Sequence, residues 1–403
     1  MKVNDFNVQY IIGDIDEFTR IDEYRATKIF DENVIDFLDD LSKVILKNKK
    51  MREYSDVVEF AFWCRKASVL KLKEKYSSDS DIIVGRGIVF HIAPSNIPVM
   101  FAYSLALSLL AGNVNVIRLS SKEFEEVNII CKEMKKLLRK DKYSNIGKKI
   151  FLLKYGYDKT INDYLSKICD VRVIWGGDIT INTIRQSPLS PRAYDLTFAD
   201  RYSLSIINAD KIVNEKDIKK VVKNFYNDTY SIDQNACSSP RLIIWIGSDE
   251  NIQKGKNIFW EELHSVVKKT YELYPIIAMN KYVQVCRYLI DYEGLKLIKT
   301  EDQYITRLQI DNLFSEMEDI KGFSGLFLEY NSNNLKNDLK IFSRNLQTIS
   351  TYGLNKSDIQ GLIFDIYPYG IDRVIDLGYA LKFNEVWDGY DLIKSLSRVI
   401  KIS

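Results

Sequence analysis

The feature that most narrows what this chain can fold into is a change of hydrophobic period near Gly85. From there, short β-rich runs alternate with helical segments. Ile88–Ile92 is an apolar, β-branched run, and the apolar helix beginning near Val99 ends at Gly112. Residues 114–119 repeat the strand pattern, and 123–139 form an amphipathic helix with Val127, Ile130, Met134 and Leu137 on one face. A third strand, Ile150–Lys154, precedes a helix around 162–168, and a fourth, Val171–Trp175, runs into Gly176-Gly177-Asp178. Strands alternating with helices imply a parallel, doubly wound sheet. Beyond residues 204–208, a helix at 215–226, a polar stretch ending at Cys237 and the strand Leu242–Ile246 begin a second α/β unit. The fold class is therefore α/β. No GxGxxG follows the first strand, so the fold alone assigns no function.

The first eighty residues are charged and helical in pattern, with Val34, Phe37, Leu38, Leu41, Val44 and Ile45 spaced by three and four. At 403 residues and 46% apolar content the chain has more material than one core needs, which favours two domains. Its 57 Lys plus Arg nearly cancel 55 Asp plus Glu, which leaves no field suited to nucleic acid or an anionic membrane and points to a small-molecule partner. Five cysteines without CxxC spacing and only two histidines argue for a reduced, cytoplasmic chain with no metal site. The N-terminus lacks the pattern of a signal peptide. The longest apolar stretch, 97–111, contains Tyr103, Ser104 and Ser108 and falls short of the roughly 20 residues a bilayer span requires, so it reads as a buried helix.

Two loops can carry chemistry. Asp233-Gln-Asn-Ala-Cys-Ser-Ser-Pro-Arg241 is a polar, small-residue loop between a helix and a buried strand, where a cysteine can be both accessible and positioned. Arg241 would favour its thiolate if the loop folds back. A buried, inert thiol is the commoner fate of a free cysteine, and the loop alone leaves that reading open. Ala93-Pro-Ser-Asn-Ile-Pro98 joins a strand to a helix at the carboxyl edge of the sheet, where open α/β folds place ligands. Helix initiation by Pro98 and capping by Asn96 explain it equally well. His91, inside a β-run, and His264, on a charged helix, read as packing and surface residues.

The segments Gly87-Ile-Val-Phe-His-Ile-Ala-Pro-Ser-Asn-Ile-Pro98 and Ala111-Gly-Asn-Val-Asn-Val-Ile-Arg-Leu-Ser-Ser121 resemble the strand, PxNxP loop and following strand of the aldehyde dehydrogenase superfamily. Trp175-Gly-Gly-Asp178, Phe198-Ala-Asp-Arg-Tyr-Ser203, the cysteine loop, Gly370-Ile-Asp-Arg373 and Trp387-Asp-Gly-Tyr-Asp391 more narrowly resemble LuxC-type acyl-CoA reductases. The resemblance implies a Rossmann-type cofactor domain over 81–209 with a helical lead-in over 1–80. It also implies a catalytic domain over 210–370 bearing Cys237, and a C-terminal segment, 371–403, serving as an oligomerisation arm. It makes Cys237 the nucleophile and Asn96 an oxyanion donor. Pro94, Arg118, Ser120, Gly176 and Gly177 become cofactor contacts, and Arg118 leans the choice toward NADPH, with NADH the alternative. Where hydrolytic relatives carry a glutamate base, this chain reads Thr197-Phe-Ala-Asp-Arg201, so an acyl-cysteine would persist for reduction.

The implied activity is reduction of an acyl thioester, such as an acyl-CoA, to an aldehyde. A homo-oligomer and an acyl-activating or acyl-transfer protein are its expected partners. An acyl phosphate reductase of the same superfamily and a non-catalytic acyl-transfer scaffold are the rival readings. Asp200, Arg201, Asp372, Arg373 and Trp387 stand out as motif residues with no chemical step attached.

Overall fold

A computed structural model describes residues 6–76 and 82–402, so the expected boundary between residues 80 and 81 lies outside the described residues. The chain divides into two compact units, one made of Met1–Ala199 with Tyr390–Ser403, the other of Asp200–Gly389.

The first unit contains β1 (Gln9–Ile12), β2 (Ile82–Gly85), β3 (Ile88–Ile92), β4 (Val114–Arg118), β5 (Ile150–Lys154), β6 (Val171–Trp175) and β7 (Tyr194–Phe198). Six of these form one sheet in the order β1-β5-β4-β3-β6-β7. All neighbours are parallel except β1, which runs antiparallel on β5. Every residue of β3 and β6 is buried, because helices cover both faces; this is why the runs are continuously apolar and do not alternate. The helix Met100–Leu110 is buried at every position. It stops at Gly112, whose φ of +92° and closeness to Thr27, 2.2 Å from where a Cβ would sit, admit only glycine. Glu125–Leu138 buries Val127, Ile130, Met134 and Leu137, as its period requires. In the lead-in, the helix Glu32–Lys47 buries Val34, Phe37, Leu38, Leu41 and Ile45. The lead-in also supplies β1, a four-residue edge strand too short to register as a period among charged neighbours.

The chain runs outward from β3 through β4 to β5, then crosses back to β6 and β7. Its direction thus reverses beside β3, where the carboxyl ends of the strands leave a crevice. The last segment closes this unit: Ser397–Ile400 pairs antiparallel with β2, and Leu396 O accepts a 2.8 Å hydrogen bond from Asn113 Nδ2.

The second unit contains β8 (Tyr202–Asn208), β9 (Leu242–Ile246), β10 (Leu295–Ile298), β11 (Thr306–Ile310), β12 (Leu326–Asn331), β13 (Leu346–Tyr352) and β14 (Arg373–Asp376). They stand in the order β10-β11-β12-β9-β8-β13-β14, parallel except for β10. One face packs on an aromatic core in which Phe225 meets Phe259 edge-on at 5.2 Å and Trp245 is fully buried. Strand β8 lies before the division expected at residue 210, whereas this unit begins at Asp200 and runs to Gly389, past the division expected at 370. No helix among the described residues is long and apolar enough to cross a membrane.

His91 is buried in the first unit, with Nδ1 2.8 Å from Ser104 Oγ and Nε2 3.1 Å from Asn115 Oδ1. Burial pushes its pKa down from 6.5 to about 4. The unfolded chain accepts a proton that the folded chain refuses, so stability falls as pH drops from 6.5 toward 4, by about 3 kcal/mol at most. Urea denaturation at pH 7.5 and 4.5 checks this, and the pH dependence should shrink in His91→Gln.

Candidate active site

Cys237 follows a backbone that has been forced into shape. The helix Ile218–Thr229 tightens into one 3₁₀ turn, Tyr230–Ile232, and then Asp233 and Gln234 take φ values of +54° and +61°. Two consecutive left-handed non-glycine residues cost about 1–3 kcal/mol each and persist only when their surroundings hold them. Tyr271 Oη donates to Asp233 Oδ1 at 2.5 Å, and Ser324 N donates to Asp233 O at 3.0 Å. Gln234 is 1% exposed and uses both ends of its amide. Its Nε2 donates to Pro240 O at 2.9 Å and Leu326 O at 3.2 Å, while Oε1 accepts from Gly325 N at 3.1 Å. Ser203 Oγ donates to Cys237 O at 2.6 Å, and Ser203 O accepts from Arg241 N at 2.9 Å, which ties both ends of the loop to β8. These groups gather where β8, β9, β12 and β13 begin, so this site stands at the amino edge of its parallel sheet.

The sulfur itself is half-buried. Burial pushes the Cys237 thiol above its ordinary value; a hydrogen bond from the Arg201 backbone N–H and the nearby Arg241 guanidinium oppose this, and the Asp388 and Asp200 carboxylates add to it. Arg241 is only 8% exposed, with Nη1 donating to Arg201 O at 3.2 Å. The charge expected beside the cysteine is therefore present, but desolvation outweighs it. Cys64, Cys131 and Cys169 are buried, and burial, as the largest cause, pushes Cys131 and Cys169 up to about 12, which marks them as packing residues. Gln234 and Ser203, which fix the cysteine, escape a reading of the sequence because their partners are backbone atoms distant along the chain.

In the first unit, the loop after β3 leaves Asn96 exposed. The helix that follows has Val99 as its N-cap and no side-chain capping bond, so the Asn96 amide is not spent on capping. Pro94 and Ser120 line a shallow, mostly apolar depression at the carboxyl ends of β3 and β4, together with Ala93, Leu119 and Lys122. Arg118, the last residue of β4, lays its guanidinium 4.9 Å from the Tyr155 ring centre and donates to Gly156 O at 3.3 Å. Gly176 and Gly177 lie at the end of β6, on the other side of β3. A Cβ on Gly176 would come within 3.0 Å of Thr180 Cγ2, and Gly177 caps the short helix Asp178–Ile184. Cys237 and Asn96 belong to different units, each placed by its own sheet. Of the two histidines, His264 pairs with Asp302 at 2.7 Å on a partly exposed surface.

Two largely parallel sheets of this kind, with a cysteine loop leading into a strand of the second, are the aldehyde dehydrogenase fold. The chain aligns with glyceraldehyde-3-phosphate dehydrogenase GapN from Methanocaldococcus jannaschii, complexed with NADP, at a TM-score of 0.62 and 16% identity over 92% of this chain and 88% of that one. It aligns with 1-pyrroline-5-carboxylate dehydrogenase from Thermus thermophilus at a TM-score of 0.61 and 12% identity, over 96% and 83%. Within that fold, residues 20–289 match the acyl-CoA reductase (LuxC) family, and the chain belongs to it. It is 26% identical over 167 residues to a long-chain acyl-protein thioester reductase of Aliivibrio fischeri, over 41% of this chain and 33% of that protein. A second such reductase, from Photobacterium leiognathi, is 25% identical over 192 residues, 47% of this chain and 37% of the relative. The matched segments thus span about a third of each relative's length.

Removing the Gln234 amide leaves Gly325 N and two carbonyls unpaired around the cysteine. Gln234→Ala should cost about 3 kcal/mol or more in chemical denaturation, at about 1–3 kcal/mol for each of the three orphaned groups, and should make Cys237 alkylation faster as the loop loosens.

Proposed function

We propose that this chain reduces an acyl thioester to an aldehyde through an acyl-cysteine on Cys237, with a reduced nicotinamide as hydride source. The observation that carries this reading is the cysteine loop: a half-buried thiol on a strained turn, clamped by Gln234 and Ser203, with a backbone N–H and a guanidinium facing the sulfur. Membership of the acyl-CoA reductase family and the acyl-protein thioester reductase names of its relatives support the substrate class.

In this reading Cys237, as thiolate, attacks the thioester carbonyl. The tetrahedral oxyanion takes a hydrogen bond from the Cys237 N–H and from the Asn96 amide, worth a few kcal/mol per donor. Its collapse breaks the carbon–sulfur bond to the carrier, whose thiolate takes up the proton that Cys237 gave away. Cys237 then holds the acyl group, and residues 197–201 supply no glutamate to activate a competing water. Pro94, Arg118, Ser120, Gly176 and Gly177 would hold a reduced nicotinamide, which would supply hydride chemistry at the acyl carbon; the carbon–sulfur bond to Cys237 then breaks, freeing the aldehyde and restoring the thiolate.

A dinucleotide would lie at the carboxyl edge of the sheet, where the strand order reverses, with Pro94 and Ser120 beside it. Arg118, held by Tyr155, keeps further N–H donors for a 2′-phosphate, which favours NADPH over NADH. Gly176 and Gly177 keep the β6 end bare of side chains. The acyl donor is acyl-CoA or an acylated partner protein, and the protein works in the cytoplasm as a homo-oligomer.

Intact mass after mixing the protein with acyl-CoAs tests the reading directly. An acyl adduct should map to Cys237, vanish in Cys237→Ala, and discharge as aldehyde when NADPH is added. Asn96→Ala should slow acylation by about 10²–10³-fold. Absence of an adduct with every thioester would move acyl phosphates ahead as substrates.

A further inference from the structure

The helix Pro275–Asp291 turns Lys281, Val285 and Tyr288 inward, and the Lys281 side chain is wholly buried. Its Nζ donates to Ser324 O at 2.7 Å, before β12, and to Gln303 O at 2.5 Å, in the neighbouring connection before β11. Among the described residues no carboxylate pairs with it. The other buried lysine of the described residues, Lys256, does have such a partner, Glu329 Oε2 at 2.9 Å. Burying a charge without a counter-ion costs free energy, and apolar side chains of similar volume often replace buried charges without loss of stability. Stability is therefore a poor account of Lys281. Burial pushes its pKa down to about 8, with the Asp302 carboxylate opposing the fall, so at pH 7 it is still a cation with protons to donate.

The protons of Lys281 hold one peptide group in particular. Ser324 and Gly325 both take positive φ, +48° and +86°, in the turn that leads into β12. A trans peptide is planar, with its C=O and N–H pointing opposite ways, so fixing the Ser324 carbonyl fixes the Gly325 N–H. That N–H donates to Gln234 Oε1 at 3.1 Å, and Gln234 Nε2 donates onward to Pro240 O at 2.9 Å. A line of hydrogen bonds thus runs from the ammonium through the peptide and the amide to the far side of the cysteine loop, each bond polarising the next. Were the peptide to turn over, its oxygen would face Gln234 Oε1, two acceptors with no proton between them. The adjacent Ser324 N–H donates to Asp233 O at 3.0 Å, so the turn engages both left-handed residues that precede Cys237.

We propose that Lys281 is a positioning residue for Cys237: it locks the Ser324–Gly325 peptide in the orientation that the Gln234 amide needs to clamp the cysteine loop. This rests on the reading of Cys237 as the nucleophile.

Two rates at pH 7 on the full chain test this: single-turnover acylation by an acyl-CoA, followed by intact mass, and alkylation of Cys237 by iodoacetamide, followed by peptide mass. Lys281→Met removes the donors and keeps the bulk. It should acylate about 10- to 100-fold more slowly at saturating thioester, the loss expected when a reacting group is misplaced by up to about an ångström, with the half-saturating concentration little changed. Iodoacetamide needs no oxyanion geometry and should alkylate Cys237 faster as the loop loosens. Lys281→Arg, a cation able to donate to both carbonyls, should recover most of the acylation rate, and Lys256→Met should match the parent in both assays. If the methionine variant does not fold, Lys281→Gln, a shorter and uncharged donor, carries the same test with a smaller loss. Acylation at the parent rate in Lys281→Met would overturn the proposal, as would an equal loss in Lys256→Met, which marks a general loosening of the unit. In a parent that no thioester acylates, the reductase reading falls and alkylation decides alone: a faster rate in Lys281→Met upholds the positioning role, and an unchanged one sinks it.

Discussion

The placement of the Cys237 sulfur depends above all on the Gln234 side chain. Its amide donates to the backbone on the far side of the cysteine and to β12, and accepts from the turn before β12, so one buried residue closes the loop and docks it. The left-handed pair at Asp233 and Gln234 persists because those bonds, with the ones from Tyr271 and Ser324 to Asp233, offset two unfavourable φ values. Strain and hydrogen bonding are therefore two sides of one arrangement: the loop is bent so that the amide can reach, and the amide keeps it bent. Ser203 completes the clamp by taking the Cys237 carbonyl and the Arg241 N–H onto β8.

The two units use their parallel sheets in opposite senses. In the first, the depression beside Pro94 and Ser120 lies at the carboxyl ends of β3 and β4, where the strand order reverses. In the second, the cysteine loop, the Arg201 segment and the Asp372 segment lie where strands begin, and polar groups there are satisfied by backbone atoms of neighbouring strands. Such an edge is rigid because each connection is held by the one beside it. A thiol in that setting loses solvation, which is why burial dominates its ionisation despite two positively polarised neighbours.

Much of this was legible in the residues. Strands β3, β5, β6 and β9 lie where continuous apolar runs predict them, since full burial on both faces leaves no alternation to misread. The amphipathic helix Glu125–Leu138 follows from its period alone. What escaped were elements defined by partners distant in sequence. β1 is four residues of an edge, β7 alternates only weakly, and β8 belongs to the second sheet though it follows the first without a linker. The cysteine loop was visible by composition and by its resemblance to a family, but the roles of Gln234 and Ser203 were not, because a side chain that bonds backbone carbonyls leaves no pattern in a single sequence. Asp388 was seen as a motif residue, and only the fold reveals Gln347, Arg201 and Asp372 around it.

The first unit is discontinuous: its final strand, Ser397–Ile400, and the buried Leu392 and Ile393 come from beyond the whole of the second unit. Asn113 Nδ2 and Arg86 Nε reach the carbonyls of Leu396 and Ser395 at 2.8 and 2.9 Å, bonds that cannot form until those residues exist. During synthesis, the continuous stretch Asp200–Gly389 is thus complete while the unit begun before it still lacks its closing strand. A nascent chain synthesised as far as Gly389 therefore holds the whole cysteine-loop unit while β2 still lacks its antiparallel partner, although the six-stranded sheet of the first unit is already complete in sequence.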